Sequence, residues 1–334
     1  MPTPSRPFAK IGLTAALTAG FAVIVSMTTA LTAEAQQQGP KVVASIKPVH
    51  ALVAQVMGTT GTPELLLTGN ASPHTYALKP SDIAKVTGAD VLFRISERLE
   101  PFTGKVKVHL PKKSGLVSLV EAKGVKTLPM RSGGDFEKHS HGKKGHAHSH
   151  SHDHGKKSGK AAIDGHIWLD PDNAIAMLDA IAEELAARMP ANAATYRANA
   201  AAAKTEIQNL ATELSATLAG LQDKPYIVFH DAYQYFENRF GLTVAGSITT
   251  DPEIPPSGKR LSELRAKIQR LGATCVFGEP NFDAKVVDTI TSGTKARVGS
   301  LDPEGASLEA GTAFYGTLMR NLAKGVKDCL APST

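Results

Sequence analysis

The chain has 334 residues, 42% of them hydrophobic and 20% charged, a balance that builds soluble folded cores and leaves room for two ordinary domains. Its formal charge of +6 is concentrated: residues 1–35 contribute +1 (Arg6 and Lys10 against Glu34) and residues 131–160 contribute +4 (seven basic residues against three acidic). The remainder is about neutral, which excludes the basic stripe that a nucleic-acid partner requires.

In chain order, Arg6 and Lys10 precede an uncharged Ala/Thr/Gly/Val stretch from Ile11 to Ala33, followed by Ala33-Glu34-Ala35. This is the layout of a signal peptide with a small-residue cleavage site, so residues 1–35 are expected to direct export and be removed. The stretch is longer than a usual signal core and an uncleaved membrane anchor is the alternative; its weak hydrophobicity favours cleavage. No cysteine lies near the cleavage site, which argues against lipid anchoring through an N-terminal cysteine.

Beyond it, short apolar runs alternate with segments of helical period, the pattern of an α/β fold with parallel sheets. Val42 to Ile46, Glu64 to Leu67 and Asp90 to Ser96 read as strands, with a helix from Val49 to Met57 and another starting at Pro80-Ser81-Asp82. From Pro171 the apolar spacing is helical as far as Met189, and Pro190 breaks it. A run rich in Ala, Lys, Glu and Gln from Asn192 to about Ala219 predicts a helix of some 40 Å, a rigid connector. Tyr226 to Phe229, Leu242 to Ile248, Thr274 to Gly278 and Ala296 to Leu301 then repeat the strand signal. The expected architecture is two similar α/β lobes, each a mainly parallel sheet flanked by helices. Residues 40–190 form the first, 191–220 the linking helix and 221–334 the second.

Seven of the 12 histidines fall in one Lys- and Gly-rich tract: His139, His141, His146, His148, His150, His152 and His154. Neutral imidazoles collect zinc, copper and nickel. The segment 131–160 has no apolar run with which to bury a core, so it reads as a disordered loop holding auxiliary, unselective, low-affinity metal sites. Cys275 and Cys329 are the only cysteines, and an even pair in an exported chain predicts one disulfide; two buried free thiols are the alternative.

The other five histidines differ in context. His74 follows the Glu64 to Leu67 strand, and His230 follows Tyr226 to Phe229, both at carboxyl ends where open α/β sheets place ligands. His166 sits in DGHIWLDP at the start of a helix. Each alone is more often structural than a ligand, but three in loops around one cleft suit tetrahedral zinc with a fourth position open. Asp302, ending the Ala296 to Leu301 strand, is a candidate for that position, and a turn or helix cap before Pro303 is the competing role. His109 reads as surface or structural, and His50 is left outside the ligand set.

The motifs VVASIKPVH, SPHTYALKPSD, GHIWLDP, VFHDAYQYFENRFGL, DPEIPPSGKRLSEL, CVFGEP and SLDPEG, taken together, resemble the periplasmic zinc-binding components of ABC importers, the cluster A-I solute-binding proteins of the ZnuA type. The resemblance implies two α/β lobes bridged by a rigid helix, zinc carried between them as the transported ligand, and delivery to an inner-membrane ABC permease. It implies a monomer, with a periplasmic zinc chaperone as a further candidate partner. His74, His166 and His230 match the family's three histidine ligands; manganese-binding relatives carry glutamate at the third. Asp302 is similar to the aspartate that completes the shell in several relatives. Other zinc members have an acidic residue before the first histidine, where this chain has Pro73, leaving Asp302 or water as fourth ligand. Two rival functions remain: a zinc hydrolase, opposed by the lack of an HExxH helix, and a metal buffer or chaperone acting only through the tract.

Overall fold

The computed structural model describes residues 39–131, 162–250, 252, 254–272 and 275–331. The signal-like segment 1–35 and the tract from His139 to His154 lie outside the described residues. The first half runs β1 (Val42–Ala44), α1 (Lys47–Met57), β2 (Glu64–Leu65), α2 (Pro80–Thr87), β3 (Val91–Arg94), α3 (Phe102–Val106) and β4 (Gly115–Ser118). Two long helices follow, α4 (Pro171–Arg188) and α5 (Ala193–Thr217). The second half runs β5 (Tyr226–His230), α6 (Gln234–Phe240), β6 (Val244–Thr249), α7 (Gly258–Leu271), β7 (Cys275–Gly278), α8 (Ala284–Thr291), β8 (Arg297–Ser300) and α9 (Phe314–Leu330).

Both sheets have four parallel strands in the same order, β2-β1-β3-β4 and β6-β5-β7-β8. In each, the chain leaves the first strand to one side and returns on the other. The carboxyl ends of β1/β3 and of β5/β7 are therefore topological switch points, where open α/β sheets form ligand crevices. The expected two-lobed α/β architecture is the one observed. The strands are shorter than the apolar runs that announce them, because residues such as Ile46, Leu66 and Leu67 remain buried after strand pairing stops. β4 and α3 carry no clear sequence signal; β4 is a half-buried edge strand that begins with Gly115.

Alternation along the second sheet separates two cores. Tyr226, Val228, Cys275 and Phe277 face a large core that runs back through α5, α4 and α1 into the first sheet. Ile227, Phe229 and Val276 face a smaller one covered by Leu264 and Ile268 of α7 and Val287 and Ile290 of α8. The linking helix α5 has 25 residues, about 37 Å at 1.5 Å each. It is no isolated rod. Tyr196, Ala200, Ala203, Ile207, Leu210, Ala211 and Leu214 are buried, and the helix packs on α1, α4 and α9.

Polar ties also cross between the halves. Lys47 Nζ donates to the carbonyls of Ala306 (2.6 Å) and Leu308 (2.9 Å), and Trp168 Nε1 donates to Pro303 O at 2.9 Å. Tyr315 Oη donates to Trp168 O, and Gln55 Nε2 donates to Thr312 O. Cys275 on β7 and Cys329 on α9 form a disulfide, their Cα atoms 6.1 Å apart. On either side of the segment 132–161 the chain is paired with itself: Pro129 and Ile163 form an antiparallel bridge. Met130 N donates to Ala162 O at 2.8 Å and Asp164 N to Leu128 O at 2.9 Å. Among the described residues no helix is long and apolar enough to cross a membrane.

Candidate metal centre

His230 is the last residue of β5, at the switch point of the second sheet. Glu279, immediately after the neighbouring β7, accepts from His230 Nδ1 with both carboxylate oxygens at 2.8 Å. Tyr233 Oη donates to the same carboxylate at 3.2 Å. His166 enters from the short turn before α4. Asp164 Oδ1 accepts from its backbone N–H at 3.0 Å and from its Nδ1 at 2.8 Å, locking main chain and ring together. Gly165 lies between them because a Cβ there would come within 2.8 Å of Leu99. The turn then sinks Ile167, Trp168 and Leu169 into the core, and Asp170 caps α4 by accepting from Asp172 N–H.

His74 comes from the loop after β2. Ser72 Oγ accepts its backbone N–H at 3.3 Å, and two residues on, Tyr76 Oη donates to Asp82 Oδ2 at 2.7 Å. The same oxygen accepts Lys79 N–H at 2.9 Å to start α2, so the loop is pinned to a helix end.

The three rings meet. Their centroids lie 5.3 to 6.0 Å apart, and one ligand nitrogen from each falls within 4.8 Å of the other two. The Nε2 atoms of all three are buried and have no hydrogen-bond partner. Carboxylates fix the proton of His166 and His230 on Nδ1, which leaves the Nε2 lone pair aimed at the shared space. Three buried Nε2 atoms without a partner cost stability unless a bond compensates, and a cation at the centre would supply one. Burial, reinforced by the charges of His166 and His230, pushes His74 down to about 3. Burial opposes the charged form of His230 as well, but the charge and hydrogen bond of Glu279 outweigh it and raise its pKa. Donors of this kind, neutral imidazoles backed by carboxylates, suit zinc.

The structure does not bring Asp302 into this group of ligand atoms. Its Oδ1 accepts N–H from Glu304 (3.1 Å) and Gly305 (2.8 Å), and its Oδ2 accepts from Ala306 at 2.7 Å, so it holds the turn after β8. His50 lies elsewhere, on α1, with Nε2 3.0 Å from Pro63 O, and His109 is exposed. The sequence reading passed over Asp164 and Glu279. Their signals were present: an acid two residues before a candidate histidine, and an acid directly after a buried strand. It also passed over Arg131, whose guanidinium donates to Asp231, next to His230, and to Glu237 of α6, whose carboxyl burial pushes up to about 7. With Tyr235 Oη accepting from Leu128 N–H and donating to Asp164 O, and Gln234 Nε2 donating to Pro129 O, this fastens the strand leading to His166 against α6.

Residues 42–329 match the model of the family described as the zinc-uptake complex component A, periplasmic. The high-affinity zinc uptake system protein ZnuA of Brucella suis biovar 1 (strain 1330) is 43% identical over 305 residues, 87% of this chain and 91% of that protein. A crystal structure of ZnuA superposes with a TM-score of 0.71 at 26% identity, covering 88% of this chain and all of that one. A zinc-bound deletion mutant of ZnuA gives 0.70 at 25% identity, covering 89% and all of the respective chains.

Proposed function

The chain belongs to the family of periplasmic zinc-uptake components, and from that premise we propose that it captures zinc through His74, His166 and His230 and hands it to an ABC-type zinc permease in the inner membrane. The observation that carries this reading is the convergence of three buried, unpartnered Nε2 atoms, two of them backed by carboxylates. Zinc is cargo here. Asp164 and Glu279 orient the rings and keep them neutral on the metal side. The fourth ligand is Asp302 or a water molecule; the three N–H groups already held by Asp302 favour water. The chain acts as a monomer, with a periplasmic zinc chaperone as a second partner.

A carrier fits better than a zinc hydrolase. The carboxylates that line the cleft, Asp164 and Asp231, are bound to His166 and Arg131, so neither is placed as a free base beside an open metal position. Anomalous diffraction at the zinc edge, from crystals grown with limiting zinc, tests the reading. One peak among the three Nε2 atoms is expected; a peak anywhere else would displace it. Chelator-sensitive turnover of ester, phosphate or peptide substrates by the zinc form would replace the carrier with an enzyme.

A further inference from the structure

With both oxygens of Asp302 taken up by backbone N–H groups of its own turn, three histidines leave one position of a tetrahedral zinc shell for an exogenous ligand. All three rings line a single cavity of about 340 Å³. One water molecule takes up roughly 30 Å³, and pockets for small organic molecules start at about 300 Å³. The open side of the metal site is therefore much roomier than a water ligand needs. Of the two arginines on the cavity wall, Arg131 is committed to Asp231 and Glu237. Arg98 is exposed, its hydrogen-bond partner is Met130 Sδ at 3.1 Å, and it has no carboxylate partner among the described residues. An unpaired guanidinium and an incomplete metal shell thus border the same space, with Thr75 and Thr250 also on its wall.

We propose that this cavity binds a small organic polycarboxylate together with zinc, one carboxylate completing the metal shell and another lying against Arg98. A carboxylate oxygen is a normal zinc ligand, and the guanidinium fork matches a carboxylate in plane and spacing. Neither contact suffices alone: an exposed arginine holds an anion weakly in water, and zinc already bound by three imidazoles has one position left to give. Joined in one molecule, the second contact forms at high effective concentration. The proposal rests on the zinc site of the preceding section and adds to it the chemical form in which the metal is held.

Equilibrium dialysis of the exported chain against radiolabelled citrate tests it, with bound zinc counted in the same samples and citrate expressed per bound zinc. About one citrate per zinc is expected, none in the zinc-free protein, and at least tenfold weaker retention in both Arg98→Ala and Arg98→Glu. Equal citrate retention by wild type and both variants would overturn the role of Arg98. Loss of zinc without retained citrate would mean that citrate competes for the metal, and would overturn the proposal while leaving the zinc site standing. Retention of inorganic phosphate in preference to citrate would overturn the carboxylate assignment. If His166→Ala leaves zinc binding unchanged, the zinc site and the present proposal fall together.

Discussion

A histidine binds metal through one nitrogen, and what the other nitrogen touches decides which one is available. His230 and His166 donate Nδ1–H to Glu279 and Asp164, so protonation of His230 adds the proton at Nε2, the atom that faces the site. Its pKa is raised, so protons compete with zinc there already above pH 6.5 and win progressively as pH falls, whereas His74, pushed down to about 3, stays neutral. Zinc affinity measured by chelator competition should fall steadily from pH 7.5 to 5; a flat profile would exclude histidine ligation. Glu279→Gln should weaken zinc by about 10- to 100-fold at neutral pH and move the onset of acid loss lower, because the carboxylate both strengthens the ligand and raises its proton affinity. Replacing His74, His166 or His230 by Ala should cost at least tenfold each, and two such variants with full affinity would refute the ligand set. Asp302→Ala should act differently: it strands three backbone N–H groups of the turn after β8, so the melting temperature is expected to drop by a few degrees while zinc affinity changes less than in any histidine variant.

At the level of elements, the sequence announced what depends on long apolar periods and missed what depends on short-range geometry. α4 and α5 were readable because Pro171 and Pro190 bracket one helical pattern and the next 25 residues repeat it without a break. β5 was readable because Tyr226 to Phe229, buried throughout, give a continuous apolar run. β4 was not, because an edge strand half open to solvent needs no such run. The histidines stood out by residue type, yet the partners that aim them did not, since one carboxylate among 31 acidic residues carries no mark until the fold brings β7 beside β5. The disulfide belongs to this scale too. It staples the start of β7 to the last turn of α9, closing a loop of 54 residues in sequence separation, for which loop entropy predicts a stabilisation of roughly 4 kcal/mol. Double Cys→Ser protein should melt several degrees lower and still bind one zinc tightly, since neither cysteine touches the histidines; two free thiols found by mass spectrometry in exported protein would contradict the pairing.

Over the whole molecule, the two sheets share one core through α1, α4, α5 and α9, and Lys47, Trp168, Gln55 and Tyr315 tie loops of one half to the other. A wide hinge opening would have to expose that core and break those bonds together. Distances between spin labels on the two sheets should therefore change by less than about 2 Å when zinc binds, and a larger closure would show that the shared core yields. Deleting residues 136–160 should remove the weak, variable metal sites and leave one tight site, with uptake slowed when zinc is scarce; loss of the tight site in a folded deletion protein would invert the assignment. The antiparallel pairing of residues 128–130 with 162–164 makes this deletion mild, because the chain before and after the excised stretch is already held side by side there. The same pairing frees the insertion to drift in evolution. Doubling the length of a loop whose ends are fixed costs only about 0.6 kcal/mol, so lineages facing different metal supplies can lengthen, shorten or rewrite its histidine content as an independent cassette without renegotiating the fold.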